Sequence, residues 1–522
     1  MTPRLSGGIG LALILGVYVA MFARDVSYEY VWDDVHEIAN APLFDGPLLD
    51  GLRSTQTERT NPALTRLTTI HLMYDSYRPL LFASYWMEIH VWGRRAGPMH
   101  LDNLLLGAIA IVLAYALAKR WTSSPVLGLI PTALFALHPV QVETVVYVSA
   151  RGDLLAGVLA LGATLAALRT GAVWIALAAL AFAGSLLTKE SYIGLPVAIA
   201  AMLWSLGTLR ARWRVLPVLG CVGVAYLGLR SQLVTDTSSA SVLDALVQLP
   251  AVGLQYLRTI VFPFDLSTER LADRSYLWPG WIALGIATLA CAYRFRTRRK
   301  LPDALAGLAW FAALIAPSAV AIQSSKVVAD RYAYAPMFGL GVAATLALAS
   351  LIRARPWLRR PILAVVAVWG ALAVVITLFQ VPVWRDNRSL YTHAVEMTPG
   401  SSEAHFRLGY LDAQEGRWDE AIPRFERAIE LDPTNDRALD NLGVGLLRTH
   451  RAEAAEAALT RATVTSPGAF RSWFNLGLAR FTRGNQTGGC AAISRALAIN
   501  PEYELARREF AHSCSPSSPK TT

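Results

Sequence analysis

Apolar and polar positions follow two rhythms along this chain, and the rhythm changes near residue 382. Before that point, long apolar runs alternate with short polar breaks. A helix crossing roughly 30 Å of hydrocarbon needs about 17 to 25 mostly apolar residues. By that measure about eleven spans are expected, near 6–23, 100–118, 125–138, 153–168, 171–187, 191–206, 213–230, 278–293, 302–322, 335–352 and 361–381. Several are short. The segment 79–92 reads as a half-buried helix lying along the membrane interface, because Glu88 and His90 interrupt it. The first run ends at Arg24-Asp25 without an Ala-x-Ala site, which favours a retained membrane helix over a cleaved signal peptide.

After residue 382 the period lengthens. Pro399, Pro433, Pro467 and Pro501 stand 34 residues apart, as do Leu408-Gly409, Leu442-Gly443 and Leu476-Gly477, and Ala394, Ala428, Ala462 and Ala496. Small residues that let paired helices approach, closed by a Pro that cannot continue a helix, form the tetratricopeptide pattern. Three full repeats are expected over 402–501, with a half repeat at 386–397 and a capping helix at 502–514. The half repeat grows straight out of the last span, so the array is expected to be held at the membrane. The fold class expected is all-α: a polytopic membrane bundle over 1–381, an α-solenoid over 382–514, and a disordered tail over 515–522.

Composition agrees. Of 522 residues, 54% are hydrophobic and only 16% charged, against roughly 25% in soluble proteins. The net charge of +10 belongs to the first three quarters, since the residues from Pro399 onward hold 15 basic and 15 acidic side chains. The basic residues fall in short runs between apolar segments, as topology signals do, with no patch of the kind that binds nucleic acid. With a cytoplasmic N-terminus, the inner loops collect Lys119-Arg120, Arg169, Arg210, Arg212, Arg214, Arg294, Arg296, Arg298, Arg299, Lys300, Arg353, Arg355, Arg359 and Arg360. Loops 24–99 and 231–277 and the repeat tail then lie outside. The Ala/Arg/Leu-rich composition looks like that of a high-GC bacterium, in which the outer side is expected to be the periplasm. Of four cysteines, Cys490 and Cys514 could form a disulfide there, and no metal-binding spacing is present.

On this map the unusual polar residues gather on one side: Asp33, Asp34 and His36, then Arg78, His138, Glu143, Arg151, Asp153, Lys189, Glu190, Asp330 and Arg331. Charges at membrane depth cost several kcal/mol and usually face a cavity or a partner. A shared cavity is one reading; side chains snorkelling from helix ends is the other. Likewise Asp33-Asp34 reads either as a reactive pair or as the N-cap of a loop helix.

Several short motifs occur in order: Trp32-Asp33-Asp34-Val35-His36, Tyr77-Arg78-Pro79-Leu80, His100-Leu101-Asp102-Asn103, His138-Pro139-Val140-Gln141-Val142-Glu143, Arg151-Gly152-Asp153, Lys189-Glu190 and Val328-Ala329-Asp330-Arg331-Tyr332-Ala333-Tyr334-Ala335-Pro336. With the repeats behind them, the chain resembles the transmembrane and tetratricopeptide-repeat protein O-mannosyltransferases, and more broadly the GT-C multi-spanning glycosyltransferases that use lipid-phosphate sugars. The resemblance implies transfer of mannose or another hexose from a polyprenyl-phosphate donor to an extracytoplasmic acceptor, a Ser/Thr of a protein. It implies that Asp33 is the base, with Asp34 orienting the acceptor or, together with Asp33, holding a divalent cation. Arg331, Lys189 and Arg78 would hold the departing phosphate. His36, His138, Glu143, Glu190 and Asp330 would line the pocket, while Arg151 and Asp153 would form a structural pair. One carboxylate acting on one face implies inversion. The repeat groove would bind a protein or glycan acceptor. Alternatives are transfer to a glycolipid or polysaccharide, a non-catalytic repeat scaffold, and a transporter, for which the internal duplication is missing.

Overall fold

The computed structural model describes residues 3–53, 77–233, 242–268, 270–298, 303–325 and 327–514. The expected tail 515–522 lies outside them. Among the described residues the chain is helical throughout, and Leu271 and Val327 make an isolated antiparallel bridge. It divides into two compact units, one up to Ser389 and one from Leu390 onward.

In the first unit six helices are long and apolar enough to cross a membrane: Ser6–Ser27, Ala96–Trp121, Val148–Ala167, Val215–Leu233, Asp330–Ala354 and Pro356–Trp384. A seventh arises if the bent pair Leu129–Leu137 and Pro139–Val146 is one span. The chain is therefore a multi-pass membrane protein. Hydropathy counts more segments than these because several apolar runs fold as short helices. Leu195–Ser205 has 11 residues and Asp303–Ile315 has 13. At 1.5 Å per residue each reaches only about 16–20 Å. Pro317 ends the second of these, and Pro139 breaks the run that begins at Leu129, where the missing N–H would interrupt the ladder.

Small residues set how close these helices come. A Cβ on Gly307 would strike the carbonyl of Gly339, and one on Gly339 would strike that of Gly307. A Cβ on Gly194 would likewise strike the carbonyl of Ala313. Without a hydrophobic drive between helices in lipid, such close packing is what holds a bundle together. The helix Pro79–Trp92 buries Leu81, Phe82, Tyr85, Glu88 and Ile89 and exposes Leu80, Met87 and Val91. Its buried face thus carries one carboxylate.

The second unit is a run of paired helices: Ser402–Gln414 with Trp418–Leu431, Asp436–Arg448 with Ala452–Thr465, Phe470–Thr482 with Gln486–Ile499, then Glu504–Ser513. Ser401, Asn435 and Asn485 cap the first two pairs and the last helix of the third, each side-chain oxygen accepting the backbone N–H three residues on. The repeating alanines Ala428, Ala462 and Ala496 are fully buried, as are Leu439, Leu459 and Leu476. The Leu-Gly motif marks the closest approach, since a Cβ on Gly443 would overlap Leu459 and one on Gly477 would meet Ile493. Cys490 and Cys514 form a disulfide that ties the final helix to the last repeat.

Candidate active site

Beyond the first span the backbone turns sharply. Trp32 takes φ +55°, a left-handed conformation rare for a bulky residue and a mark of local strain. Its N–H donates to Asn387 Oδ1 at 2.7 Å. The two carboxylates that follow meet opposite surroundings. Asp34 is fully buried, and its Oδ1 accepts the Ser149 N–H at 2.7 Å and the Ser149 hydroxyl at 2.6 Å. Burial pushes the Asp34 carboxyl up to about 7, against the pull of the Ser149 and Val31 hydrogen bonds. Asp33 stays half-exposed, and its Oδ2 accepts the Tyr147 hydroxyl at 3.3 Å. The Tyr147 ring stacks on Trp32 at 5.6 Å and lies 5.4 Å from Trp384.

Cations lie close to the same rings. The Arg331 guanidinium lies 5.8 Å from both the Trp32 and Tyr147 ring centres and 5.3 Å from that of Tyr332. It pairs with buried Glu143, whose second oxygen accepts the Arg331 N–H at 3.1 Å. Across Tyr332, at 5.2 Å, is the Lys189 ammonium, bound to Asp153 at 2.5 Å. Burial lowers the Lys189 ammonium below its ordinary range, and nearby Arg78 and Arg331 add to this against Asp153. Arg78 forks onto Glu190 with contacts of 2.6 and 3.0 Å. Burial would raise Glu190, but the charge and hydrogen bonds of Arg78 prevail and hold it at about 2. A small opening lies here, lined by Asp153, Ser191, Tyr192, Arg331 and Tyr332 among others. Asp33, Tyr147, Arg331, Tyr332 and Lys189 thus form one continuous series, drawn from four separated segments.

Other residues singled out in the sequence are placed elsewhere. Asp330 turns away from Arg331 and binds Arg270 at 2.5 Å; Arg270 also reaches Thr259 and the Val328 carbonyl, while Tyr256 holds the Ala329 carbonyl. These contacts fix the segment that leads into Arg331. His138 is buried at the helix break, where Nδ1 accepts the Val140 N–H and Nε2 faces the Ile260 carbonyl at 2.8 Å. The side chain of His36 lies outside the described residues. Among the described residues no group of three or more His, Cys, Asp or Glu could hold a metal ion. The expected pairing of Arg151 with Asp153 is corrected: Asp153 binds Lys189, whereas Arg151 binds Glu88 at 2.6 Å and Asn103 at 2.9 Å. Residues two apart on a helix face different ways, so the two were never placed to meet. Sequence reasoning also missed Tyr147, Ser149 and Arg270. Tyr147 and Ser149 sit between two quoted motifs, and that proximity was the available signal.

Residues 402–435 and 441–504 match tetratricopeptide repeat families. Over 164 residues the chain is 29% identical to the human protein O-mannosyl-transferase TMTC1, covering 30% of this chain and 18% of that protein. Over 447 residues it is 21% identical to a Caenorhabditis elegans protein O-mannosyl-transferase, covering 80% of this chain and 63% of the relative. Human TMTC3, also named a protein O-mannosyl-transferase, is 27% identical over 191 residues, 35% of this chain and 20% of its own length. The matches thus span less than two thirds of these relatives. Among solved structures, the tetratricopeptide protein YrrB is 17% identical with a TM-score of 0.24, over 31% of this chain and 88% of that one. The chain is thus similar to proteins named protein O-mannosyl-transferases and carries tetratricopeptide repeats in its C-terminal part.

Proposed function

We propose that this chain is a membrane glycosyltransferase. It moves a hexose, mannose by the names of its relatives, from a polyprenyl phosphate to Ser/Thr hydroxyls of proteins on the extracytoplasmic side. The supporting observation is that half-exposed Asp33 and the Arg331 guanidinium flank the same Tyr147 ring, with Lys189 one ring further on. A sugar on a lipid phosphate already has a good leaving group. The site therefore needs a base for the acceptor and cations for the departing phosphate. Asp33 takes the proton of the acceptor hydroxyl as its oxygen bonds to the anomeric carbon. The bond from that carbon to the phosphate oxygen breaks on the opposite face, so configuration inverts. Arg331, with Lys189 and Arg78 behind it, stabilises the charge gathering on the phosphate, most effectively where water is thinned out. Asp34, fully buried and held by Ser149, fixes the loop on which Asp33 stands and orients the acceptor only through Asp33.

In this proposal the division into a catalytic part over 1–381 and a repeat part over 382–514 is functional. The N-terminus is cytoplasmic, and the repeats lie in the periplasm of a bacterial inner membrane and present the acceptor protein. The disulfide between Cys490 and Cys514 supports that placement, since such bonds persist in oxidising compartments.

The test is mass spectrometry of envelope proteins with the wild-type gene, without it, and with Asp33→Asn. Hexose is expected at defined Ser/Thr sites in the wild type alone. The purified Asp33→Asn protein is expected to transfer mannose from polyprenyl-phosphate mannose about 10²–10⁴-fold more slowly. An unchanged proteome with an altered glycolipid would move the acceptor to lipid. Wild-type behaviour of Asp33→Asn would leave a scaffold.

A further inference from the structure

The segment 145–149 carries both partners of the acidic pair, Tyr147 for Asp33 and Ser149 for Asp34. It is the junction at Tyr147 between the short helix Val142–Val146 and the 3-10 turn Val148–Ala150, and carbonyls at such a break need partners from outside the ladder. Those of Val145 and Tyr147 both accept from Asn103 Nδ2 at 3.3 Å, and that of Val148 accepts the Tyr85 hydroxyl at 2.9 Å. Asn103 is itself oriented, because its Oδ1 accepts Arg151 Nε at 2.9 Å. The remaining arms of that guanidinium reach Glu88 at 2.6 Å and the Met99 carbonyl at 2.9 Å, and its plane lies 4.7 Å from the Tyr85 ring. Three helices, Pro79–Trp92, Ala96–Trp121 and Arg151–Ala167, are thereby tied at one point.

We infer that Arg151, acting through Asn103, is a positioning residue that sets where Asp33 and Asp34 stand relative to Arg331; this rests on the transferase reading above. Arg151 is 1% exposed, so it cannot reach a substrate or the phosphate itself. A planar fork that serves three partners at once is a task for Arg that Lys cannot take over. Asn103 converts that fork into two bonds on the acid-holding segment. A displacement of about 1 Å at a reacting group costs on the order of 10²-fold in rate, so loosening this tie acts on turnover while leaving donor binding intact.

The experiment uses full-length protein in detergent with polyprenyl-phosphate mannose as probe. Arg151→Lys is expected to lower kcat roughly 10- to 100-fold with the donor KM within about twofold. Hydrogen exchange is expected to speed up over 145–149 while 402–501 is unchanged. Asn103→Ala keeps the Arg151–Glu88 pair and should show the same split, which guards against a misfolded Arg151→Lys. A raised KM at constant kcat, wild-type turnover, or unchanged exchange over 145–149 in both variants would overturn the inference. If the wild type itself transfers no sugar from this donor, the transferase reading falls separately, and the exchange result alone upholds or overturns the tie from Arg151 to the acidic pair.

Discussion

The two units use charge in opposite ways. In the repeats most ion pairs lie on the surface: Arg427 and Glu430 are 50% and 64% exposed, and Arg508 and Glu504 more so on average, the exception being buried Asp412 between Arg417 and Arg424. The pairs there stay within one helix pair or link neighbouring repeats, and the fold is carried by an apolar core of Ala, Leu and Phe. In the membrane unit four pairs are largely buried and join distant segments: Arg151 to Glu88, Lys189 to Asp153, Arg270 to Asp330, Arg331 to Glu143. Desolvating such pairs offsets much of their attraction, so they are poor devices for stability alone. Four of them in one neighbourhood mean that position is what they supply.

The largest effect should come from breaking one pair of each kind. Asp153→Ala leaves the Lys189 ammonium buried without its counter-charge and is expected to destabilise the membrane unit by about 3–5 kcal/mol. Glu430→Ala removes a solvated partner and should change stability by about 0.5 kcal/mol or less. Thermal unfolding of the full-length protein, followed by exchange in each unit separately, reads both. Equal effects would erase the contrast.

Acid–base behaviour sharpens it further. In the repeats the hydrogen bond from Arg483 holds Glu456 below the usual carboxylate range, so it stays ionised through neutrality. Asp34 titrates at about 7, above its ordinary 3.8. The folded chain therefore keeps a proton that the unfolded chain has released. That contribution to stability is fully present below about pH 4 and is lost as pH rises through about 7. Activity should run the other way. With Asp34 needed as the acceptor of the Ser149 bonds, turnover is expected to fall about tenfold per pH unit below about 7. Rates and melting temperatures between about pH 5 and 8 should show opposite slopes, and Asp34→Asn should remove the stability slope. Parallel slopes would mean that another group governs both.

The same contrast decides what could be read without coordinates. The repeats were legible because one local rule, a 34-residue period of Pro, Leu-Gly and Ala, fixes every helix pair against its neighbour. The membrane helices were legible as apolar runs, but their lengths were not, since breaks at His138-Pro139 and Ala316-Pro317 decide whether a run crosses or stops. Asp33, Asp34, Lys189 and Arg331 stood out as charges in apolar surroundings. Their partners did not. Nothing local says that Glu88 turns inward to Arg151, or that Asp330 faces Arg270 and not the opening beside its neighbour. Tyr147 and Ser149 are unremarkable as residue types, and only three-dimensional closure puts them on the two carboxylates.

The smallest effect tests how far the local rule of the repeats reaches. The turn inside each helix pair closes in one way: Arg417, Arg451 and Asn485 donate their N–H to the carbonyls of Asp412, Leu446 and Arg480, five residues back. The preceding residues 416, 450 and 484 donate to the carbonyls three back. This closure needs a left-handed residue between helix end and turn, which Gly adopts freely. Gly416 and Gly484 supply it with φ of +78° and +79°, whereas the middle repeat places His450 there at +59°. A side chain in that conformation costs on the order of 1 kcal/mol, less the extra backbone entropy that Gly would lose on folding. His450→Gly is therefore expected to stabilise the repeats by up to about 1 kcal/mol, seen as slower exchange across the second pair with the membrane unit unaffected. His450→Ala should give no such gain, because it keeps the Cβ that opposes the turn. If His450→Gly instead speeds exchange, the imidazole has a role that the periodic pattern does not assign, and the array is less purely local than its period implies.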